Sequence, residues 1–289
     1  MNHKDFAETG LTLPEIGFGT LEYRGGVEPL RRGVDLGACL IDTAEAYGTE
    51  DVVGEAIRGD RHRVFVATKA LPRHFKYADL LMAADRSLTR LGTDYIDLYQ
   101  LHWPNYAVPI EETMAAMEEL VDRGKVRFIG VSNFSVTDLK KARAALSKHK
   151  IVSNQVRYSL ADRTIERGLL RYCQEHGIAI IAHRPLARGV RHLEERDPGN
   201  VLRRVAAITG KSEAQVALNW GISKDAVVAI PKASSIGHVE EDCGASDWRL
   251  SAEQIGLLDR GIKFRRLGLA EAAVRRLARR SLQKLGYNQ

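Results

Sequence analysis

The chain is poor in the residues that mark secreted, metal-stapled or membrane-spanning proteins. It has three cysteines among 289 residues, Cys39, Cys173 and Cys243. Their odd number, wide separation and lack of ligand spacing argue against a disulfide framework or a zinc site. Reduced thiols in a cytoplasm are the expectation. No apolar run approaches the roughly 18 residues of a membrane span. The first 30 residues include Lys4, Asp5, Glu8 and Glu15 without an apolar signal core, so no export signal is expected. No Pro/Gly/Ser linker, low-complexity tract or internal repeat divides the chain. A general excess of positive charge is also missing. The net charge is +6, yet eight Lys/Arg against one acid between 263 and 289 leave the other residues at −1. The basicity therefore belongs to the C-terminal stretch and does not mark the whole protein as a nucleic-acid binder.

What the sequence does hold is an apolar fraction of 44%, enough for a large core, and a regular alternation of strands and helices. Strands are expected at 15–19, 41–42, 64–69, 95–101, 128–132, 151–155, 178–182 and 226–230. Helices are expected at 27–36, 50–57, 77–91, 110–121, 136–149, 165–176, 201–209, 213–223 and 251–262, with Ser251 as an N-cap. In the third helix Leu80, Ala84, Leu88 and Leu91 recur at helical spacing before Gly92. The strands are near-continuously apolar rather than alternating, which implies a parallel sheet buried on both faces. Eight strand–helix units in about 250 residues match a single-domain α/β fold, the closed (β/α)8 TIM barrel. A doubly wound open sheet is the second choice, but no G-x-G-x-x-G follows the first strand. The barrel is expected to span 1–262, with a basic amphipathic extension over 263–289.

In such a barrel the chemistry sits at the C-terminal ends of the strands. Those ends carry Asp42, Lys69, His102, Ser132 and Asn133, Gln155, His183 and Lys232. A lysine closing an apolar strand would tend to lose its proton if buried alone. Asp42 on the neighbouring strand would keep it charged. Tyr47, five residues beyond Asp42, then gains a role. A nearby ammonium is expected to draw a phenol's pKa down from about 10 by roughly one to three units, giving a proton donor poised nearer neutrality. His102 would hydrogen-bond the oxygen that Tyr47 protonates. The group looks like an acid site for a carbonyl becoming an alkoxide.

These residues sit in Ile-Asp-Thr-Ala-Glu-Ala-Tyr-Gly (41–48), Ala-Thr-Lys (67–69) and Leu-Tyr-Gln-Leu-His-Trp-Pro (98–104). The set resembles the catalytic tetrad motifs of the aldo-keto reductases, and the segments 130–134, 154–155 and 230–232 extend the likeness across about 6–262. The resemblance implies a nicotinamide cofactor across the barrel mouth. Tyr47 would be the general acid, tuned by Lys69 and Asp42, with His102 orienting the substrate. Gly19, Thr20 and Leu21 would line the cofactor, and Ser132, Asn133 and Gln155 would hold its carboxamide, a group with both donors and acceptors. The family commonly has Tyr-Ser-Pro-Leu where this chain has His183, Arg184, Pro185 and Leu186. His183 would stack on the nicotinamide with less area, and Arg184 would reach the pyrophosphate. Beyond Lys232, Ala233 replaces a serine and His238 an arginine. Neutral histidine lacks the bidentate charged contact with phosphate. Lys232, Ser234 and Ser235 remain for a 2′-phosphate, with Glu241 and Asp242 at the adenosine positions. NADP(H) is therefore expected to be preferred and NAD(H) accepted, by a margin that shrinks as His238 loses its proton.

Tyr23, Trp103 and Tyr106 are the expected pocket walls for an aldehyde or small ketone. The tail after Ile262 departs from the family pattern. Its apolar stripe of Ala270, Val274, Leu277, Ala278, Leu282 and Leu285 is expected to pack on the barrel, with Arg275, Arg276, Arg279 and Arg280 solvated. Neither a membrane span nor a nucleic-acid partner is expected, and no metal site is legible. The leading function is an NADPH-dependent carbonyl reductase, with a nucleotide-binding regulatory subunit on the same barrel as the alternative. A Schiff-base aldolase using Lys69 fits poorly, since its amine would have to be neutral.

Overall fold

Strands that are apolar on both faces need cover on both, and here a sheet closed into a cylinder and ringed by helices supplies it. The computed structural model describes residues 1–265 together with 274, 277 and 278. An antiparallel hairpin comes first, β1 (His3–Asp5) and β2 (Thr12–Pro14). The barrel strands follow: β3 (Phe18–Gly19), β4 (Leu40–Asp42), β5 (Phe65–Ala70), β6 (Ile96–Leu101), β7 (Val126–Ser132), β8 (Ile151–Arg157), β9 (Ala179–His183) and β10 (Val227–Ile230). They pair in sequence order, all parallel, from β3 to β10. The seam is closed by a parallel bridge from Ile16 to Ala229 and by backbone bonds from Gly17 N–H to Ala229 O and Ala229 N–H to Glu15 O, each 2.9 Å.

The helices are α1 (Glu28–Asp35), α2 (Glu50–Ala56), α3 (Tyr77–Leu91), α4 (Ile110–Asp122), α5 (Val136–Ala144), α6 (Leu169–Glu175), α7 (Val190–Glu194), α8 (Val201–Thr209), α9 (Glu213–Ile222), α10 (Ile236–Cys243) and α11 (Ala252–Gly261). The main core lies between this ring and the sheet. A second cluster fills the cylinder, where Phe6 and Leu13 of the hairpin region pack with Leu40, Phe65, Leu98, Ile181 and Val228. The Phe6 ring meets those of Phe65 and Phe128 edge-on, at 5.3 and 6.0 Å. The hairpin thus plugs the N-terminal end of the barrel and leaves the opposite end for chemistry. Close packing of α2 on α3 depends on Gly54, where a Cβ would lie 2.5 Å from Leu91 O.

The expected barrel is present, with differences at particular elements. The helix expected to run to His149 stops at Ala144. Glu118 of α4 accepts the N–H groups of Ser147, Lys148 and His149 at 2.9, 2.6 and 3.1 Å, so these donors are satisfied without a further helical turn. The helix expected at 165–176 is broken at Gly168, whose φ is +149°. The β1–β2 hairpin, α7 and α10 were not foreseen in the sequence pattern. Ser251 caps α11 through a reciprocal bond set with Gln254, as its position implies. Of the extension, Val274 and Leu277 are helical and exposed, at 64% and 61%. Ala270, Leu282, Leu285 and the four arginines of the expected helix lie outside the described residues.

Candidate active site

Asp42 ends β4, Lys69 lies one residue before the end of β5, and His102 directly follows β6, so three adjacent strands present them at one mouth. A short 3-10 turn, Glu45–Tyr47, brings the phenol back over them. Lys69 is fully buried and Asp42 is 2% exposed. The ammonium donates to Asp42 Oδ1 at 2.5 Å and to Thr43 O at 2.8 Å, and lies 4.9 Å from the centre of the Tyr47 ring. The other oxygen of Asp42 accepts from Gln100 Nε2 at 3.0 Å and Gln155 Nε2 at 2.7 Å. Each buried charge is thus paired and hydrogen-bonded, the condition for keeping ions in an apolar interior. Burial opposes the charge on Lys69, but Asp42 and then Tyr47 outweigh it and hold its pKa above the ordinary value.

The Tyr47 hydroxyl lies 3.3 Å from His102 Nε2, with the rings edge to face. Burial pushes the phenol up, and the attraction of Lys69 only partly offsets it. The expected lowering of the Tyr47 pKa is therefore reversed in the free protein, because desolvation exceeds the pull of the ammonium. His102 is pushed down to about 3, by burial first and then by Lys69, so its ring is neutral at ordinary pH. Its Nδ1 is buried with no hydrogen-bond partner among the described residues. Its Nε2 faces the phenol.

The expected cofactor residues divide by where their side chains go. Ser132 Oγ donates to Gln155 O at 2.9 Å, and Asn133 Nδ2 donates to Ser132 Oγ and to His102 O at 2.9 and 3.1 Å. Gln155 uses its amide nitrogen on Asp42 and Gln100. Gly19 and Leu21 reach the rim, whereas Thr20 is wholly buried, its hydroxyl bound to Asp42 O and Thr49 Oγ1. It braces β3 against β4 rather than lining the mouth. His183 is half-buried and pushed down to about 3, by burial and then by Lys69. Arg184 follows in a left-handed conformation, before Pro185 and Leu186. Lys232, Ser234, His238 and Glu241 lie at the surface or partly so, while Ala233 and Asp242 turn inward at 2% and 4% exposure.

Of the expected pocket walls, Tyr23 is instead a core residue, 8% exposed, with its hydroxyl donating to Gly26 O at 2.8 Å. Trp103 is half-buried beside His102, and the Tyr106 hydroxyl points to the Asp138 carboxylate at 3.3 Å. Sequence reasoning missed Gln100 and Glu45. Gln100 could have been found, since Leu98, Gln100 and His102 alternate along one face of a strand whose next turn carries chemistry. Glu45 accepts from Leu71 N–H and lies 3.0 Å from His74 Nδ1, tying the Tyr47 turn to the segment after β5.

The donor set suits a dinucleotide. Lys232, Ser234, the Ser235 cap and the N-terminus of α10 form a cationic edge of the kind that binds phosphate. Ser132 and Asn133 lie at the end of β7 and just beyond it, linked to His102 through the Asn133 amide. Among the described residues no cluster of His, Cys, Asp or Glu could hold a metal ion, and no helix is long and apolar enough to cross a membrane.

Comparison with known proteins agrees with this geometry. The model of the aldo/keto reductase family matches residues 15–263. Methylglyoxal reductase YeaE of Escherichia coli is 39% identical over 260 residues, covering 86% of this chain and 91% of its own. An aldo/keto reductase from Klebsiella pneumoniae, solved with NADP and acetate, superposes with a TM-score of 0.83 at 40% identity, covering 92% and 98% of the two chains. The thermostable aldo-keto reductase Tm1743, solved with the inhibitor epalrestat, gives 0.85 at 39%, covering 90% and 99%.

Proposed function

Since the chain belongs to the aldo/keto reductase family, and so is an NAD(P)H-dependent oxidoreductase acting on carbonyl compounds, we propose that it reduces aldehydes and small ketones with NADPH as the preferred donor and Tyr47 as the general acid. The observation that carries this reading is the buried chain of contacts from Asp42 through Lys69 to Tyr47, ending 3.3 Å from His102. The cofactor supplies the hydride. Lys232, Ser234, Ser235 and the start of α10 would hold its phosphate end, with Ser132 and Asn133 at its amide end. NADH would serve as a weaker donor, by a margin narrowed because His238 offers no fork of charged donors to a 2′-phosphate.

His102 Nε2–H donates to the substrate's carbonyl oxygen and aims it at the phenol. As hydride reaches the carbonyl carbon, the C=O π pair moves onto oxygen, and that oxygen takes the Tyr47 proton. Lys69 stabilises the phenolate left behind, and Asp42 keeps the ammonium in place. Solvent then returns a proton to Tyr47. Because burial keeps the free phenol protonated, the acid is present in its donating form across the neutral range. Methylglyoxal, the substrate named for the E. coli relative, is a first candidate.

The test is consumption of NADPH and NADH with methylglyoxal and a panel of aldehydes, for wild type and Tyr47→Phe. Removing the general acid is expected to lower kcat by about 10²–10⁴-fold. Equal rates for both proteins with every carbonyl would exclude this mechanism. Tight NADPH binding without turnover would favour a nucleotide-binding regulatory subunit.

A further inference from the structure

The side chains that hold Asp42 come from one interior layer of the barrel. In a closed barrel such layers are drawn from alternate strands, and bulky branched apolar residues dominate them. Asp42 on β4, Gln100 on β6 and Gln155 on β8 come from alternate strands, and all three are polar and buried. Gln100 is also the register partner of Lys69 on β5 and of Gly130 on β7. Gly130 gives the glutamine its room. A Cβ there would lie 2.9 Å from Gln100 Cγ and 2.7 Å from Ser153 Oγ.

An ionised carboxylate only accepts hydrogen bonds, so both glutamines must turn their nitrogens toward Asp42. Gln100 Nε2 reaches Oδ2 at 3.0 Å, and Gln155 Nε2 reaches the same oxygen at 2.7 Å. Gln100 Oε1 accepts from Gln155 Nε2 at 3.3 Å and closes the triangle. One carboxylate oxygen thus carries the two amides, and the other is left to the Lys69 ammonium at 2.5 Å. Turning the carboxylate about its Cβ–Cγ bond would break these contacts together. Without Gln100, Oδ2 would lose one donor, and Gln155 would lose the acceptor that holds its nitrogen in place. An apolar side chain would fill the same space with no amide to satisfy. Packing alone does not call for a glutamine here, whereas orienting Asp42 does.

We propose that Gln100 is a positioning residue for proton transfer, holding the Asp42 carboxylate so that Oδ1 stays on Lys69 and the ammonium stays beside the Tyr47 ring. This rests on the reductase reading above and deepens it. Gln100 is wholly buried and acts through Asp42 and Gln155 rather than by touching the substrate.

Gln100→Met keeps the length of the side chain and removes both polar atoms, and Gln100→Leu is the second variant, with the same expectations. Each is compared with wild type on the aldehyde panel at saturating NADPH, in H2O and in D2O. kcat should fall by about tenfold, the effect of losing one buried hydrogen bond to a charged group, while the Kd for NADPH by protein fluorescence stays unchanged. The H2O-to-D2O ratio of kcat should rise, because a phenol whose cation has shifted gives up its proton more slowly. A variant that merely folds less well lowers kcat in both solvents alike and leaves that ratio where it was. An unchanged kcat in both variants, or a lower kcat with an unchanged ratio, overturns the proposal. So does a weaker Kd for NADPH with kcat unmoved, which would assign Gln100 to the cofactor through Gln155. If wild type turns over no carbonyl, the reductase reading fails by itself. The crystal structure of Gln100→Met then decides the positioning role, which stands if the Asp42 carboxylate has turned away from Lys69 and falls if Oδ1 remains on the ammonium.

Discussion

Asp42 and Asp242 are both nearly sealed from solvent, and their surroundings differ. Asp42 accepts from one ammonium and two amides. Asp242, 4% exposed, is pushed up to about 8, by burial first and then by Glu241. Its folded pKa lies above the unfolded value of about 3.9. Whatever stability its neutral form lends is complete below that value and is lost as pH rises through 8. Asp242→Asn should therefore raise Tm relative to wild type by an amount that grows from pH 5 to pH 8. The gain should be a few degrees, at about 2–4 °C per kcal/mol for a chain of this size. Melting curves at four pH values would check it, and a pH-independent difference would contradict it. Tyr47 shows what sequence conveys at this scale. The motif spacing located the phenol and its cation. It could not say that burial would exceed their attraction, because desolvation depends on how the whole chain covers a side chain.

At the level of elements, the turn bearing Tyr47 is held by Glu45, which joins it to Leu71 and His74 beyond the strand that bears Lys69. Phenol and ammonium are thus positioned by two segments with one carboxylate between them. Glu45→Ala leaves the Leu71 N–H unpaired and should cost about 1–3 kcal/mol of stability. If the bond also sets the phenol's position, kcat should fall while the Kd for NADPH stays fixed, and Glu45→Gln, which keeps an acceptor, should restore part of kcat. Strands were the most legible elements, since β5 and β6 are buried at every position and apolar runs are all that such strands permit. The cofactor-edge helix α10 was the least. It buries only Val239, Asp242 and Cys243, too few positions to show a helical period, and the Ser235 cap was its one clear signal. Glu118 likewise shortened α5 from a distant helix, a contact no local pattern could show.

For the whole molecule, two neutral histidines in the mouth make acid a threat to the fold as well as to turnover. His102 and His183 both sit at about 3, against about 6.5 when unfolded. The unfolded chain binds the extra protons between those values, so stability falls as pH drops from about 6.5 toward 3. His102→Asn and His183→Tyr should each flatten the decline of urea midpoint over pH 7 to 4.5, and an unaltered slope in both would assign acid sensitivity to other groups. The closure of the barrel has a separate consequence. Glu15, Gly17 and Ala229 join the first strand region to the last, so the main sheet offers no row of vacant amides and carbonyls to a neighbouring molecule. Strand-by-strand polymerisation of the native protein would first require that short join to open, and conditions that loosen Gly17 from Ala229 should bring on fibre formation well before the cylinder as a whole comes apart.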